Sequence, residues 1–301
     1  MQTLRGVFCG SGSAAMAHPF IAGHLLALLP PGLPRKPRVL YLGTATYDDP
    51  ASCAAQTAQL AAAGCDVSSL DLSGARGAPP PAAARAEAIA AADIIVVSGG
   101  NSLYMLDAWA KLGVDELLRR AAARGAVFGG GSAGLGWIFD ALHSDSADAS
   151  TYREPPPPRA GGAGAAAWRY IRVPALGLLP GLCVPHYDTT QSNGVPRAAD
   201  VEPMLLRTRE AFVGVDHMAA LKVADGCFEV LAVPGARREG AGQPTATPHV
   251  WLGSVAAGGA VQVVAAPPRG ALAALGGGGG GPAEEDDGHV ARCREENPLA
   301  V

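Results

Sequence analysis

Short apolar runs alternate with longer alanine-rich segments through the first two thirds of the chain. The runs have the length of strands and the segments between them have the length of helices. The predicted strands are Gly6–Cys9, Arg38–Gly43, Asp66–Asp71, Asp93–Ser98 and Ala126–Gly129, and the predicted helices are Ala51–Ala63, Pro81–Ala91, Ser102–Trp109 and Val114–Ala123. Strands that alternate with helices predict right-handed βαβ units and a parallel sheet that is covered on both faces.

The pattern changes after about residue 150. A run of prolines followed by a glycine- and alanine-rich stretch predicts a surface loop or insertion near residues 153–167. Further strands are predicted at Cys183–Val184, Ala211–Val215, Ala219–Val223, Phe228–Val233 and Val261–Ala265. Six consecutive glycines and an acidic run predict a disordered tail over residues 276–301. The sequence thus predicts a single α/β domain over residues 1–270.

Composition and charge narrow the class of protein. The net charge of −4 argues against a surface for nucleic acid or an anionic membrane. Much of the 49% hydrophobic content is alanine, and no stretch approaches the roughly 20 strongly apolar residues of a membrane-spanning helix. The N-terminal residues lack the features of a signal peptide, and the six cysteines contain no CxxC pair. We therefore expect a cytoplasmic protein with no membrane or nucleic-acid partner.

One serine follows a predicted strand directly and precedes a helix. The stretch GAVFGGGSAGLGW, residues 125–137, leads through three glycines to Ser132. Gly130 and Gly134 flank it at the GxSxG spacing of a nucleophile elbow, where a side chain would collide with the neighbouring strand and helix. Such a turn exposes the hydroxyl and directs the next N–H, that of Ala133, at an oxyanion. A glycine-rich structural turn or a phosphate-binding loop fits the motif equally well.

A second glycine turn has the sequence SGGN, residues 98–101, and follows the predicted strand Asp93–Ser98. Ligands of open α/β sheets bind at the carboxyl ends of strands, and both glycine turns fall there. The N–H groups of Gly99 and Gly100 are unobstructed, so one of them can serve as a second oxyanion donor. An ordinary strand-to-helix loop is the alternative interpretation.

A serine hydroxyl needs a general base to act as a nucleophile at neutral pH. Of the seven histidines, His186 is the first candidate, because LGLLPGLCVPHYD places it just past a short apolar run. His217, in GVDHM, follows another predicted strand and is the second candidate. A purely structural role is the alternative for each of them.

These segments together resemble the peptidase E (dipeptidase E, aspartyl dipeptidase) family of serine peptidases, which is related to cyanophycinase. The resemblance rests on KPRVLYLGTAT, ADIIVVSGGNSLYMLDAW, GAVFGGGSAG, WIFDALHSDSAD and LGLLPGLCVPHYD, with a weaker match in GVDHMAALKV. It extends from about Gly6 to Val233. It implies a doubly wound, mostly parallel α/β sheet similar to class I glutamine amidotransferases, that is, a flavodoxin-like three-layer sandwich with a serine in place of their cysteine.

The resemblance also implies roles for individual residues. Ser132 aligns with the family's nucleophile and His186 with its histidine. Gly100 and Ala133 align with the residues whose N–H groups form the oxyanion hole. Asp145 is the best match for the carboxylate that orients the histidine.

Three other carboxylates are weaker candidates for that orienting role. Asp148 is close enough in sequence to compete with Asp145. Asp188 is disfavoured because it lies two residues from His186 along the chain, and Asp140 because it is expected one to two turns into the helix after Ser132.

Family members that cleave dipeptides with an N-terminal aspartate need a cation to bind that carboxylate. Arg197 is the first candidate for this role, with Arg153 and Arg172 as alternatives, and Asn101 is a further candidate for substrate binding. The chain has no recognisable spacing of metal ligands, and no metal or other cofactor is expected.

The preferred function is therefore hydrolysis of short peptides by a serine peptidase of the dipeptidase type. Alternatives on the same scaffold are cyanophycinase-like cleavage of β-aspartyl peptides and another amidase or esterase activity. A non-catalytic binding module is a further alternative. The expected partner is a short peptide substrate, and the chain is expected to be a monomer or a homodimer.

Overall fold

Residues 4–154, 168–239 and 246–276 are described by a computed structural model in which strands and helices alternate as the sequence predicts. Its strands are β1 (Arg5–Cys9), β2 (Arg38–Leu42), β3 (Asp66–Leu70), β4 (Ile94–Val97), β5 (Val127–Gly131), β6 (Phe139–Ser144), β7 (Ile171–Pro174), β8 (Leu179–Pro185), β9 (Phe212–Val215), β10 (Ala219–Ala224), β11 (Cys227–Ala232), β12 (Val250–Val255), β13 (Val261–Ala265) and β14 (Arg269–Ala271). Its α-helices are α1 (Pro19–Leu26), α2 (Pro50–Ala62), α3 (Ala82–Ala91), α4 (Ser102–Leu112), α5 (Val114–Ala123), α6 (Ala133–Gly136) and α7 (Arg197–Thr208). Residues 155–167 of the predicted insertion and 277–301 of the predicted tail lie outside the described residues.

The first sheet has eight strands in the order β14-β11-β10-β1-β5-β4-β2-β3. Strands β1, β5, β4, β2 and β3 are parallel, while β10, β11 and β14 add an antiparallel extension beside β1. Successive strand residues enter different cores: Val7 belongs to the same core as Leu25 of α1, and Phe8 belongs to the same core as Trp109 of α4. Because side chains alternate across a strand, helices cover both faces, and the predicted doubly wound α/β fold is confirmed.

The second sheet has six strands in the order β13-β12-β9-β8-β6-β7. Strands β6, β8 and β9 are parallel to one another, whereas β7, β12 and β13 run antiparallel to their neighbours. One apolar core contains residues of both sheets, among them Phe8 and Ile95 of the first and Phe139 and Val213 of the second. The two sheets therefore pack around a shared interior.

The segment after Ser132 differs from the sequence expectation. Helix α6 is a single turn, and Asp140 lies in β6 rather than one to two turns into a helix. Gly134 and Gly136 explain the short helix, because glycine is a poor helix former. The carboxylate of Asp140 accepts a hydrogen bond from the N–H of Gly181 at 2.8 Å, so it holds β6 to β8. Its predicted helical position is therefore wrong.

Several strand ends position the chemistry-bearing residues. In the first sheet, Ser132 follows β5, the SGGN turn follows β4, and a glycine-containing loop of residues 10–12, here called the β1 loop, follows β1. In the second sheet, His186 follows β8 and His217 lies just beyond β9. In the described ranges, none of the helices is both long and apolar enough to cross a membrane.

Candidate active site

Ser132 joins β5 to α6 in a backbone conformation that only a well-supported turn maintains. Its φ is 57° and its ψ is −116°. A residue with a side chain seldom adopts a positive φ, and such strain costs of the order of 1–3 kcal/mol. The N–H of Ser132 donates to the carbonyl of Cys9 at 3.1 Å, and its own carbonyl accepts from Leu135 and Gly136, each at 3.0 Å. The neighbouring strand β1 and the helix after the serine therefore hold the strained residue from both sides.

The glycines around Ser132 are required by close backbone contacts. A Cβ on Gly130 would lie 2.4 Å from the carbonyl oxygen of Gly134, and a Cβ on Gly134 would lie 2.1 Å from that of Val97. A Cβ on Gly131 would lie 2.1 Å from the carbonyl oxygen of Ser11. The predicted collision with the neighbouring strand and helix is thus confirmed for both glycines of the GxSxG motif.

Two backbone N–H groups beside Ser132 are available to a ligand. Among the hydrogen bonds of the described residues, none uses the N–H of Gly100 or of Ala133. The SGGN turn lies against the serine, since a Cβ on Gly99 would be 3.3 Å from the Cβ of Ser132. Gly100 has a φ of 125°, and a Cβ there would lie 2.2 Å from the carbonyl oxygen of Ala45. Two unpaired donors near a hydroxyl are what an oxyanion hole requires.

Asn101 has a structural position in the same turn. Its side-chain oxygen accepts from the N–H of Tyr104 at 2.9 Å and so caps α4. Its side-chain nitrogen donates to the hydroxyl of Thr151 at 3.0 Å and to the carbonyl of Ser146 at 3.4 Å. The residue is 1% exposed. Asn101 therefore does not present its amide to a substrate in this structure, contrary to the expectation from the sequence.

His186 and His217 form a pair. Their Nδ1 atoms are 2.8 Å apart, and their ring centroids are 4.9 Å apart. His186 has a φ of 51°, so its backbone is also in the left-handed region. Burial lowers the pKa of His186 well below its usual value of 6.5, and the positive charge of Arg197 acts in the same direction. His186 is therefore neutral at neutral pH, which is the state that a general base needs.

The β1 loop connects the histidine pair with the serine turn. A Cβ on Gly10 would lie 2.0 Å from the carbonyl oxygen of Asp216, next to His217. A Cβ on Gly12 would lie 2.9 Å from Gly99, beside Ser132. In the described part of the chain, no hydrogen bond joins the hydroxyl of Ser132 to either histidine. The structure thus brings the predicted nucleophile and base to two sides of one short loop.

Asp145 and Arg197 bind each other. The Nη2 of Arg197 lies 2.5 Å from the carboxylate of Asp145, and its Nη1 donates to the carbonyl of His143 at 2.9 Å. The guanidinium also lies over the ring of Tyr170, 4.7 Å from its centroid. Arg197 is fully buried. It is therefore not available to a substrate carboxylate, and the carboxylate of Asp145 is not hydrogen-bonded to His186; the structure meets neither expectation.

The other two carboxylates have clear partners. Asp148 accepts from the N–H of Ser150 at 2.9 Å and from the hydroxyl of Ser192 at 2.7 Å. Asp188 accepts from the N–H of His217 at 2.6 Å and from that of Glu239 at 2.8 Å. Asp188 therefore fixes the backbone of the second histidine, and its hydrogen bonds with the described residues do not include the ring of the first.

Asp216 was not singled out from the sequence. It is fully buried and accepts from Trp251 Nε1 at 3.0 Å, from the N–H of His249 at 2.8 Å and from Arg238 Nε at 2.8 Å. Burial and the negative charge of Asp188 raise its pKa to about 6. The GVDHM motif could have indicated this position, because an acidic residue directly after a buried strand needs hydrogen-bond partners if it is buried as well. Asp216 anchors the turn that carries His217.

Within the described ranges, no group of three histidine, cysteine, aspartate or glutamate side chains is placed to hold a metal ion. The groups of the candidate site are the strained serine, the two N–H groups that no hydrogen bond among the described residues uses, and the buried His186.

The family description Peptidase family S51 matches residues 10–231, which contain all of these groups. The chain belongs to Peptidase family S51. It is a serine peptidase by family membership. The match extends from the β1 loop into β11 and so includes strands of both sheets.

Two curated proteins are similar in sequence to this S51 member. A Trypanosoma brucei brucei protein named G2/mitotic-specific cyclin-1 is 31% identical over 269 residues, which are 80% of this chain and 78% of that protein. The uncharacterized peptidase YgaJ of Bacillus subtilis (strain 168) is 31% identical over 109 residues, which are 36% of this chain and 39% of that protein. The second name agrees with the family and the first describes another role, which we do not transfer to this chain.

Solved structures show the same fold. A protein from Listeria monocytogenes EGD-e described as a peptidase E has a TM-score of 0.54 at 16% identity, covering 77% of this chain and 99% of its own. A peptidase from an acI-B1 Actinobacterium has a TM-score of 0.57 at 15% identity, covering 90% of this chain and 97% of its own. At these identities the likeness establishes the fold and not the substrate.

Proposed function

We propose that this S51 peptidase hydrolyses short peptides through an acyl-enzyme formed on Ser132. The observation that carries the proposal is the strained turn of Ser132, with its φ of 57° and ψ of −116°, beside two unpaired N–H groups. A strained serine at a strand-to-helix turn is the geometry of a nucleophile elbow. A phosphate-binding loop would not need the strained serine, so the nucleophile explains more of the turn.

The reaction follows from the groups at the site. Ser132 Oγ attacks the carbonyl carbon of the peptide bond while His186 Nε2 takes the hydroxyl proton. The N–H groups of Gly100 and Ala133 donate to the oxyanion of the tetrahedral intermediate. When the C–N bond breaks, His186 gives its proton to the leaving amine. A water molecule, deprotonated by the same histidine, then hydrolyses the ester and releases Ser132.

The test uses a fluorophosphonate probe on three proteins: wild type, Ser132→Ala and His186→Ala. We expect rapid covalent labelling of the wild type, none of Ser132→Ala, and labelling of His186→Ala slowed by about 1,000-fold or more. Equal labelling of all three proteins would contradict the proposal. Absence of labelling in the wild type would favour a non-catalytic binding module.

We further propose a preference for peptides with an N-terminal aspartate, with Arg153 as the residue that binds its carboxylate. Arg172 is paired with Glu210 at 2.9 Å and Arg197 with Asp145 at 2.5 Å. Arg153 has neither an ion pair nor a hydrogen bond with the described residues. Its charge opposes the effect of burial on the pKa of Tyr104, which lies in the first turn of the helix after the SGGN turn. A free cation near that turn fits an acidic substrate.

Side-by-side assays of Asp-Ala, Ala-Ala, β-Asp-Arg and a p-nitrophenyl ester test the preference. We expect Arg153→Gln to raise KM for Asp-Ala by about 10–100-fold, equivalent to the loss of one charged hydrogen bond, without changing KM for Ala-Ala. Arg169→Gln, an exposed arginine of the same region, is the control. Preferred cleavage of β-Asp-Arg would instead support the cyanophycinase-like alternative.

The cytoplasmic location expected from the sequence remains part of this proposal.

A further inference from the structure

The ring of His186 has a histidine, not a carboxylate, at its Nδ1. The Nδ1 atoms of His186 and His217 are 2.8 Å apart, and no carboxylate among the described residues is hydrogen-bonded to either ring. We propose that His217 is the positioning residue of this peptidase: it orients His186, which in turn takes the proton of Ser132. This inference rests on the proposed function, and it assigns a role that the sequence resemblance gave to Asp145.

A bond between two Nδ1 atoms fixes the positions of protons. One Nδ1 must carry a proton and the other must accept it, because two protonated nitrogens would repel each other at that distance. His186 can take a proton from Ser132 only if its Nε2 is unprotonated, so its Nδ1 carries the hydrogen. His217 Nδ1 is then the acceptor. With His186 as the base, the contact therefore holds its ring in the tautomer that a general base requires.

The backbone of His217 is held firmly enough for this role. Its N–H donates to Asp188 at 2.6 Å, and the other oxygen of Asp188 accepts from Glu239 at 2.8 Å. On the other side of the same turn, Asp216 is fully buried among hydrogen-bond donors that include Trp251 Nε1. Asp188 lies two residues after His186, so one carboxylate links the loops of both histidines. These hydrogen bonds fix the backbone of His217, and the fixed backbone determines where its ring lies.

Asp145 does not occupy this position. Its carboxylate is bound to the fully buried guanidinium of Arg197, which itself is tied to the carbonyl of His143. A carboxylate engaged in that way would have to leave a buried cation unpaired in order to reach His186. During catalysis the proton of Ser132 goes to Nε2 of His186, and the hydrogen on its Nδ1 stays bonded to His217. No proton needs to pass to His217.

Two substitutions of His217 by side chains of similar length distinguish a role in orienting His186 from a role in packing alone. In His217→Asn the side-chain oxygen is bonded to Cγ, as Nδ1 is in histidine, so an acceptor remains at that position. In His217→Leu a methyl group stands there and no acceptor remains. His249→Leu is the control, because the backbone of His249 is bonded to Asp216 in the same cluster while its ring is not bonded to His186.

We expect His217→Leu to lower kcat by about 100–10,000-fold with little change in KM, as for loss of the residue that sets a tautomer. His217→Asn should remain within about tenfold of wild type, since it keeps the acceptor. Equal activities of the Asn and Leu variants, whether both high or both low, would overturn the inference. Thermal unfolding of each variant shows whether the fold is retained, and His249→Leu should keep wild-type kcat.

The tautomer of His186 can be read without a substrate, by ¹⁵N NMR of the imidazole nitrogens in the full chain at neutral pH. We expect a protonated Nδ1 in the wild type and in His217→Asn, and a mixture of tautomers in His217→Leu. A proton on Nε2 of His186 in the wild type would overturn the inference. The two failures are distinguishable, because a wild type without fluorophosphonate labelling would refute the proposed function even with the expected tautomer.

Discussion

The serine side and the histidine side of the site are built from different parts of the polypeptide. Around Ser132 the geometry is set by backbone: three glycines in sequence, contacts that leave no space for a Cβ, and two N–H groups that have no hydrogen-bond partner in the described part of the chain. Around His186 it is set by side chains that are far apart in sequence, with His217 31 positions away. We therefore expect the geometry of the serine side to be disrupted by substitutions that add atoms. The geometry of the histidine side should be disrupted by substitutions that remove polar groups.

The largest expected effect comes from adding one methyl group to the serine side. In Gly134→Ala the new Cβ would lie 2.1 Å from the carbonyl oxygen of Val97, so either α6 or β4 must shift. A shift of about 1 Å there displaces both the hydroxyl and the N–H of Ala133, so we expect kcat/KM to fall by about 1,000-fold or more. The measurement is hydrolysis together with fluorophosphonate labelling, and circular dichroism shows whether the fold is retained. An active Gly134→Ala variant would contradict the assignment of the turn.

On the histidine side, Asp145→Asn should change stability more than chemistry. The substitution leaves the buried guanidinium of Arg197 without a charged partner, and we expect the free energy of unfolding to fall by about 2–3 kcal/mol. Activity per folded molecule should fall by less than about tenfold, because His217 orients His186.

Urea unfolding and kcat measured on the same samples test this expectation. Asp148→Asn is the control, since asparagine also caps a helix and the substitution leaves no buried cation without its partner, so the free energy of unfolding should change by less than about 0.5 kcal/mol. If Asp145→Asn keeps its stability but loses activity by several orders of magnitude, the carboxylate acts on the histidine after all.

The pH dependence of activity tests the electrostatics of His186. Its pKa is lowered well below 6.5, so the neutral, basic form persists below that pH. We expect kcat/KM to stay constant as the pH falls through 6.5 and to decline only well below it, by about tenfold per pH unit. A neutral ester substrate removes any contribution from ionisation of the substrate. A midpoint at or above 6.5 would mean that His186 is not the base or is not buried in the free enzyme.

The smallest expected effect is the matched glycine control. Gly23 lies within α1, and a Cβ there would meet no atom within 4 Å. Because alanine favours helix over glycine, Gly23→Ala should raise the free energy of unfolding by up to about 1 kcal/mol and leave kcat unchanged. Thermal unfolding measures this increase. A loss of activity in Gly23→Ala would mean that the serine turn is sensitive to distant changes as well as to its own contacts.

The predictable parts of the molecule are those governed by neighbouring residues. The alternation of apolar runs and alanine-rich segments is local, and so are the glycine contacts around Ser132, so both were predicted from the sequence. The short α6 was not predicted, although Gly134 and Gly136 weaken a helix and could have indicated it. Asn101 was predicted to bind substrate, but it stands directly before a helix, where asparagine is a favoured cap, so its capping role was predictable as well.

The pairs that could not be predicted depend on how the two sheets pack. Asp145 and Arg197 are 52 positions apart, and their contact depends on where α7 lies against β6. The contact between His186 and His217 requires the ends of β8 and β9 to be adjacent, which the parallel pairing of these strands provides. The spacing of residues along the sequence does not indicate which of several carboxylates will form an ion pair with a buried arginine.

The proposed nucleophile and the proposed base follow strands of different sheets, and they lie on two sides of the β1 loop. Hydrolysis therefore requires that the two layers be docked, whereas circular dichroism detects each layer whether it is docked or not. In a denaturant titration the catalytic rate then reports on the cooperativity of the whole molecule. Coincident transitions would mean that the layers unfold as one unit, while an earlier loss of rate would reveal a state in which both layers persist but have separated.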